Sequence, residues 1–349
     1  MGRAPAFWTE ENTRLITDNF VAVSVSNYDQ GRKDAVGQFF KDAKMQLPGA
    51  GGSQWAVTAA GKVLESNNHH GLGFNIKKAL EKWQVLPAAE RAPGAIKIAD
   101  VDVIDSSRTT PVPPERGLVL KVYYRAFMRD GGKLRYVAGK DLWHDEFGKK
   151  TEEAFDTQYP GRITTAQAQP DHMWLTEAEW KSLVPENAKQ GDKAAVPAGV
   201  ADRFIRWHLN PLAVYGETNC LAPKTVRGAE LTLTVIGVTR STIRLQLDGR
   251  VRLGADAPAE VAEGKCASIS QWGYEPRVLG FIDFNQQQMA ITRFDVVALG
   301  DHFGRLGIAD SATRLGLQPL GISFELVPAD VPANRIPPGR TPTAKEYFK

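Results

Sequence analysis

The stretch R-V-L-G-F-I-D-F-N-Q-Q-Q-M-A-I-T-R-F-D-V-V-A-L-G, residues 277–300, decides the fold of the larger part of this chain. Apolar and polar side chains alternate on both sides of a polar centre, and many of the apolar ones are β-branched or aromatic. This pattern predicts a β-hairpin that turns near Gln286–Gln287. The same alternation predicts further hairpins at 118–139 and 229–254, and a last strand at 321–328.

Long antiparallel hairpins with few helices between them favour a sandwich or an up-and-down barrel. Short helices are predicted at 176–185 and 200–211, where apolar residues recur at helical spacing. We therefore expect an α+β protein in which a large antiparallel β domain carries helical insertions.

Residues 7–86 form a smaller pattern of helix, strand, helix, hairpin and helix. The strand is F-V-A-V-S-V-S at 20–26, and the hairpin contains A-V-T-A-A-G-K-V-L at 56–64. In its element order and in this hairpin, the segment resembles the latter part of a thioredoxin-like domain. The resemblance covers about a quarter of the chain.

The thioredoxin-like segment departs from that family at two places. Phe7–Trp8–Thr9–Glu10 stands where the family carries Cys-x-x-Cys, and Gly52–Ser53–Gln54–Trp55 stands where it carries a proline. A thiolate is the nucleophile of disulfide exchange, so the resemblance implies the fold without the redox activity.

The composition changes after the third predicted helix, where Pro111, Pro113 and Pro114 stiffen the chain and remove amide donors. We expect three parts: a thioredoxin-like unit at 1–88, a Pro-rich linker at 89–116, and an antiparallel β domain at 117–349 that ends in a Pro-rich C-terminal tail.

Composition excludes some functions and leaves others open. The formal net charge is only +3, and no basic block stands out, so we expect no nucleic-acid partner.

No apolar run approaches the ~20 residues of a membrane span. The amino-terminal sequence has no signal-peptide pattern. The compartment stays open: cytoplasmic, or extracytoplasmic if a leader has been removed. No phosphate-loop, Rossmann or nucleophile-elbow motif occurs, so the cofactor is unknown.

Asp301 and His302 directly follow the strand that carries Arg293 and Asp295. Loops at strand ends are common places for binding residues. If the hairpin pairs as predicted, residues before its first strand reach the same rim. The candidate ligand-binding residues are His302, Asp301, Tyr274, Glu275, Arg277, Arg293 and Asp295.

The chain contains six histidines and two cysteines. None of the histidines has a metal-ligand spacing, but His208 and His302 are the candidate metal ligands. Cys220 and Cys266 could form one disulfide or remain two separate thiols.

From these patterns we expect a non-catalytic binding or scaffolding protein. Its β domain would present a rim or cavity to a small molecule or a protein partner. The alternative is a hydrolase-like or metal-dependent enzyme that uses His302 and Asp301.

Overall fold

The structure is a computed structural model, and its described part divides into two compact units. The first unit contains the described residues up to Arg91, and the second contains those from Val112 onward. This division falls inside the predicted linker, although the predicted domain bounds themselves stay predictions. The described residues are 10–22, 35–42, 54–58, 61–67, 75–91, 112–137, 141–144, 149–150, 169–213, 220–265, 267, 271–305, 312–331, 334–338 and 347–348.

The first unit contains helices around a two-stranded hairpin. Its elements are α1 (Glu10–Asn19), α2 (Ala35–Asp42), β1 (Gln54–Val57), β2 (Val63–Asn67), α3 (Ile76–Gln84) and α4 (Ala88–Arg91). Helix α3 begins where the Asn75 side chain accepts a hydrogen bond from the Lys78 amide, and its buried Ala79 packs on the hairpin. Within the strand predicted at 20–26, residues 20–22 are neither helix nor strand, and 23–26 lie outside the described residues. The thioredoxin resemblance stays a prediction.

The second unit is dominated by one antiparallel sheet. Its elements are β3 (Leu118–Asp130), β4 (Lys133–Tyr136), β5 (Leu142–His144), β6 (Lys149–Lys150), β7 (Gln169–Leu175), α5 (Glu177–Lys181), β8 (Lys193–Ala195), α6 (Ala198–Arg203), a π-helix (Phe204–His208), β9 (Val226–Val238), β10 (Thr242–Gly254), α7 (Ala259–Ala262), β11 (Trp272–Asn285), β12 (Ala290–Arg305) and β13 (Ala312–Leu326). The predicted large antiparallel sheet with helical insertions is confirmed.

The sheet is open, so the predicted barrel is wrong. Its strands follow the order β4-β3-β13-β12-β11-β10-β9-β8, with β7 also paired to β3, and with β5 paired to both β13 and β6. Closure into a barrel requires the last strand to pair with the first. Among the described strands the path instead ends at three-residue β8 on one side, and at β4 and β7 on the other.

Strand β8 and the residues beside it cover one edge of the sheet. The Gly191 amide donates to the Val235 carbonyl at 2.8 Å, and the Val235 amide donates to the Asp192 carbonyl at 2.9 Å. Farther along, the Val196 amide donates to the Leu231 carbonyl at 3.0 Å. We call Gly191–Val196 the edge segment. Between Leu231 and Val235 it satisfies backbone groups of β9 that an edge strand would otherwise leave unpaired.

The two faces of the sheet differ in burial, as the alternation predicts. The inner face carries the core of the unit, and the helical segment after β7 packs on it: the Phe204 ring lies 4.5 Å from the Phe324 ring, centroid to centroid. That segment starts at α5 with a capping box, in which Thr176 and Glu179 satisfy each other's backbone amides. The other face, here called the outer face, carries the charged and exposed side chains.

Candidate functional site

Tyr274 and His302 lie on the inner face and pair directly across β11 and β12. Their ring centroids are 6.3 Å apart, and both side chains are fully buried. The Tyr274 hydroxyl donates to the Leu320 carbonyl at 3.0 Å and lies 3.3 Å from the Ala298 carbonyl. Burial raises the pKa of Tyr274 far above its ordinary value. The phenol therefore remains neutral and acts as a hydrogen-bond donor in the core.

Arg314 lies buried beside His302. Its Nη2 is 3.1 Å from His302 Nδ1, and its Nη1 donates to the carbonyls of Phe127 and Pro319, the latter at 2.8 Å. A guanidinium has only donors, so Nδ1 accepts and the neutral imidazole carries its proton on Nε2. The arrangement orients His302 and joins three segments of the sheet, but it is not open to solvent.

Asp301, Glu275 and Arg277 point to the outer face, away from the two buried rings. Each forms an ion pair there. Their partners are Arg129, Arg227 and Asp248, in that order. Side chains alternate between the faces of a strand, so neighbours in the sequence separate in space. The predicted rim is therefore divided, with Tyr274 and His302 inside and the three charged residues outside.

Arg293 and Asp295 lie on the outer face toward the turn end of the same hairpin. Their side chains are 2.5 Å apart, and both are about half exposed. Beside them Asp283 forms a two-point ion pair with Arg244, at 2.8 and 2.9 Å. The hydrogen bonds from Arg244 lower the pKa of the Asp283 carboxyl. The first pair lies within β12 and the second joins β10 to β11, and both are separate from the residues around Asp301.

His208, the other candidate metal ligand, belongs to a buried cluster that the sequence does not reveal. Its Nε2 lies 2.8 Å from the Tyr347 hydroxyl, and its Nδ1 lies 3.4 Å from the Asp171 carboxylate. The carboxylate favours a proton on Nδ1, so Nε2 accepts from the phenol. The same hydroxyl accepts from the Trp174 amide at 3.2 Å. Burial raises the pKa of Tyr347 well above its ordinary value.

The predicted metal and disulfide sites stay predictions. In the described ranges, no group of three or more His, Cys, Asp or Glu side chains is placed to hold a metal ion. The Cys220 thiol is free and half-buried, and burial raises its pKa. Cys266 lies outside the described residues.

The outer face carries an apolar patch that is not among the sites predicted from the sequence. Leu279 and Val297 pair directly across β11 and β12, and Leu299 follows two residues later on the same face. These side chains are 44%, 48% and 42% exposed, respectively. The patch continues over Gly321, since an added Cβ there would lie 3.7 Å from Leu299 Cδ1 and 3.2 Å from Phe127 Cε2.

An aromatic stack forms the far end of the patch. The Phe127 and Tyr136 rings stack with centroids 6.2 Å apart, and the Arg125 guanidinium lies 4.7 Å from the centre of the Tyr136 ring. Tyr136 is 61% exposed. We call these residues the outer patch. Its members are Leu279, Val297, Leu299, Phe127, Tyr136 and Arg125.

A sequence signal for the outer patch does exist. Val297 and Leu299 alternate with Val296 and Ala298, so apolar side chains occur at both odd and even positions of the strand. A strand with only one buried face would carry polar residues at every second position. The continuous apolar run indicates a second apolar face, which here is exposed. By contrast, no local pattern connects His208 with Tyr347, which lies 139 residues away.

The fold and site define an open antiparallel-sheet protein with an exposed apolar patch and a buried polar cluster. Comparison with protein-family models, curated proteins and solved structures gives no match for this chain. Within the described part, every helix is too short or too polar to cross a membrane.

Proposed function

We propose that this protein is a non-catalytic binding protein that docks a protein partner on the outer patch. The observation that carries the proposal is the exposure of Leu279, Val297 and Leu299 side by side on a hydrogen-bonded sheet. Isolated exposed apolar side chains are common on protein surfaces, but contiguous ones mark interaction sites. A rigid sheet also keeps the three side chains in place, which lowers the entropy lost on binding.

The composition of the outer patch supports a protein partner. Tyrosine and arginine are enriched among the residues that contribute most to protein interfaces, and here Tyr136 stacks with Arg125. Polar pairs surround the apolar centre, including Arg129 with Asp301 and Arg277 with Asp248. An apolar centre inside a polar rim is the usual anatomy of such an interface.

The shape of the surface favours a protein over a small molecule. Small-molecule sites are concave and enclose most of their ligand. The outer patch instead lies along the face of a sheet, across β11, β12, β13 and β3. A patch spread over several strands suits a macromolecular partner better than a small molecule.

The enzyme alternative is less well supported. A general base and the carboxylate that orients it must lie within hydrogen-bond distance of each other. His302 is buried on the inner face with Arg314, whereas Asp301 is bound to Arg129 on the outer face. The two side chains therefore have no common substrate surface.

Site-specific photo-crosslinking tests the proposal. A p-benzoylphenylalanine residue replaces Leu299 in one variant and Gln288, in the exposed turn of the same hairpin, in the matched control. We expect a discrete protein adduct from position 299 in an extract of the source cells, and none from position 288. Adding Leu279→Asp to the first variant should remove the adduct, because it places a charge in the apolar centre.

Adducts of the same pattern at both positions would overturn the proposal, as would an adduct at 299 that survives Leu279→Asp. Near-ultraviolet circular dichroism of each variant shows whether the fold is retained. The turn variant Gln287→Asp/Gln288→Asp is the control for added charge.

A further inference from the structure

Tyr347 and Phe348, in the tail that follows β13, insert into a pocket built by distant parts of the second unit. Trp174 lies on β7, Arg203 ends α6, and Trp207 lies in the π-helix. Tyr347 belongs to the same buried cluster as Trp174 and Trp207. We call this the tail pocket.

The tail pocket recognises the tyrosine by its hydroxyl group as well as by its ring. The hydroxyl lies 2.8 Å from His208 Nε2 and accepts from the Trp174 amide at 3.2 Å. Around the ring, the Trp207 and His208 rings pack edge-on, with centroids 5.2 and 5.7 Å away. Without the phenol, the amide and the imidazole nitrogen would be buried without this partner, which is costly.

Arg203 recognises both aromatic residues of the tail. Its guanidinium carbon lies 4.8 Å from the centre of the Tyr347 ring and 4.6 Å from that of Phe348. The Glu179 carboxylate holds Arg203 Nη1 at 2.7 Å, and the capping box with Thr176 fixes that carboxylate. The cation is therefore positioned independently of the tail, and it lies within cation–π distance of both rings.

The π-helix forms one wall of the tail pocket. The Leu209 amide donates a hydrogen bond to the Phe204 carbonyl, five residues earlier, at 3.1 Å. Four of the five residues of this turn are buried: Phe204, Ile205, Trp207 and His208. A surface α-helix normally buries only the residues along one side. Such wide turns are rare and occur often at functional sites.

We propose that the tail pocket is a recognition site for a peptide that carries adjacent tyrosine and phenylalanine, and that Tyr347 and Phe348 occupy it in cis. This site lies apart from the outer patch and does not depend on it. The ligand class follows from the contacts: a phenol for His208 and Trp174, and a second ring for Arg203. The tail then acts as a built-in competitor for any such peptide.

Binding of a labelled peptide to the full-length protein tests the proposal. The peptide is T-P-T-A-K-E-Y-F-K, the sequence of residues 341–349. We expect the variant Tyr347→Ala/Phe348→Ala to bind it saturably and to gain thermal stability from it, since a ligand that binds only the folded state raises Tm. Wild-type protein should bind at least about tenfold more weakly, because its own tail fills the pocket. A peptide with phenylalanine in place of the tyrosine should lose about thirtyfold in affinity, because the phenol makes two hydrogen bonds in the pocket, each contributing about 1 kcal/mol.

Two controls make the result decisive. Leu299→Asp, in the outer patch, should leave peptide binding to the double variant unchanged. If the double variant does not fold, Tyr347→Phe supplies the answer, because it keeps the ring and removes only the hydroxyl. The tyrosine peptide should bind Tyr347→Phe more tightly than it binds wild type. A further peptide carries alanine in place of both the tyrosine and the phenylalanine. Absence of saturable binding to the folded variants, or equal binding of the original peptide and this alanine peptide, would overturn the proposal.

Discussion

Tyr274 and His302 lie directly opposite each other across β11 and β12, with both rings shielded from solvent. The tyrosine hydroxyl reaches the Leu320 carbonyl on β13, while the imidazole reaches Arg314 on the same strand. The pair therefore ties three consecutive strands together through side chains. We interpret it as a stabilising element of the inner face, and its contribution can be measured.

Tyr274→Phe should lower the free energy of unfolding by about 1 kcal/mol, because it removes a buried hydrogen bond and keeps the ring. Chemical denaturation of the purified variant measures the change. Tyr136→Phe, on an exposed ring, is the matched control and should change stability by less than about 0.5 kcal/mol. Equal effects of the two substitutions would contradict the role of the Tyr274 hydroxyl.

Arg314→Met should lower the free energy of unfolding by about 3 kcal/mol, since it leaves buried carbonyls and His302 without their donor. Arg277→Met removes an arginine whose side chain is 65% exposed. That control should change stability by less than about 0.5 kcal/mol, as surface ion pairs contribute little. Urea denaturation compares the two variants, and a mild effect at Arg314 would show that the buried guanidinium is not needed.

His172 should make the fold less stable in acid. Burial lowers the pKa of its imidazole from 6.5 to about 4, and neither ring nitrogen has a hydrogen-bond partner among the described residues. The unfolded chain therefore binds a proton at a higher pH than the folded chain does. Stability is retained above about pH 6.5 and falls as the pH drops toward 4, by roughly 2 kcal/mol from this group.

Denaturation of wild type and His172→Leu at pH 7 and pH 4.5 isolates that contribution. The difference in unfolding free energy between the two pH values should be smaller in the variant by roughly 2 kcal/mol. Parallel pH dependence in the two proteins would mean that His172 titrates normally in the folded state.

Two glycines of the sheet should respond differently to alanine. A Cβ at Gly300 would lie 2.1 Å from the Glu275 carbonyl oxygen, which is backbone and cannot move aside. Gly300→Ala should therefore cost about 3 kcal/mol or prevent folding. At Gly321 the nearest atom is on the Phe127 ring, at 3.2 Å, so Gly321→Ala should change stability by less than about 1 kcal/mol. Thermal unfolding of both variants compares the two positions.

The hairpins could be predicted from sequence because each strand has one buried face. Ile243, Leu245 and Leu247 alternate with polar residues, and all three are buried on β10. The turn between β11 and β12, at residues 286–289, contains the predicted Gln286–Gln287. Successive side chains of a strand point to opposite faces, so an alternation with a period of two in the sequence predicts strands well.

The site was harder to predict, because a shift of one residue along a strand moves a side chain to the opposite face of the sheet. Asp301 and His302 are adjacent in sequence and so lie on opposite faces. A register shift next to Asp283 adds to the difficulty: Asp283 pairs with Arg293, but Phe284 pairs with Ile291. Thr292 is the extra residue of this bulge. The Ile291 side chain therefore lies on the inner face, although a residue two positions from Arg293 would normally share the outer face with it.

Long-range contacts of the tail also had no sequence signal. A Pro-rich segment predicts irregular surface chain, whereas Tyr347 is buried beside Trp174, 173 residues away. Patterns within a window describe local structure only, and a contact at this separation depends on the whole fold.

The edge segment Gly191–Val196 has a consequence for the behaviour of the protein in solution. An open sheet exposes backbone that can template addition of another strand, which leads to aggregation. Here the amides and carbonyls of β9 between Leu231 and Val235 are already bonded by that segment. Concentrated preparations should thus resist strand-mediated aggregation along β9 for as long as this short stretch stays attached.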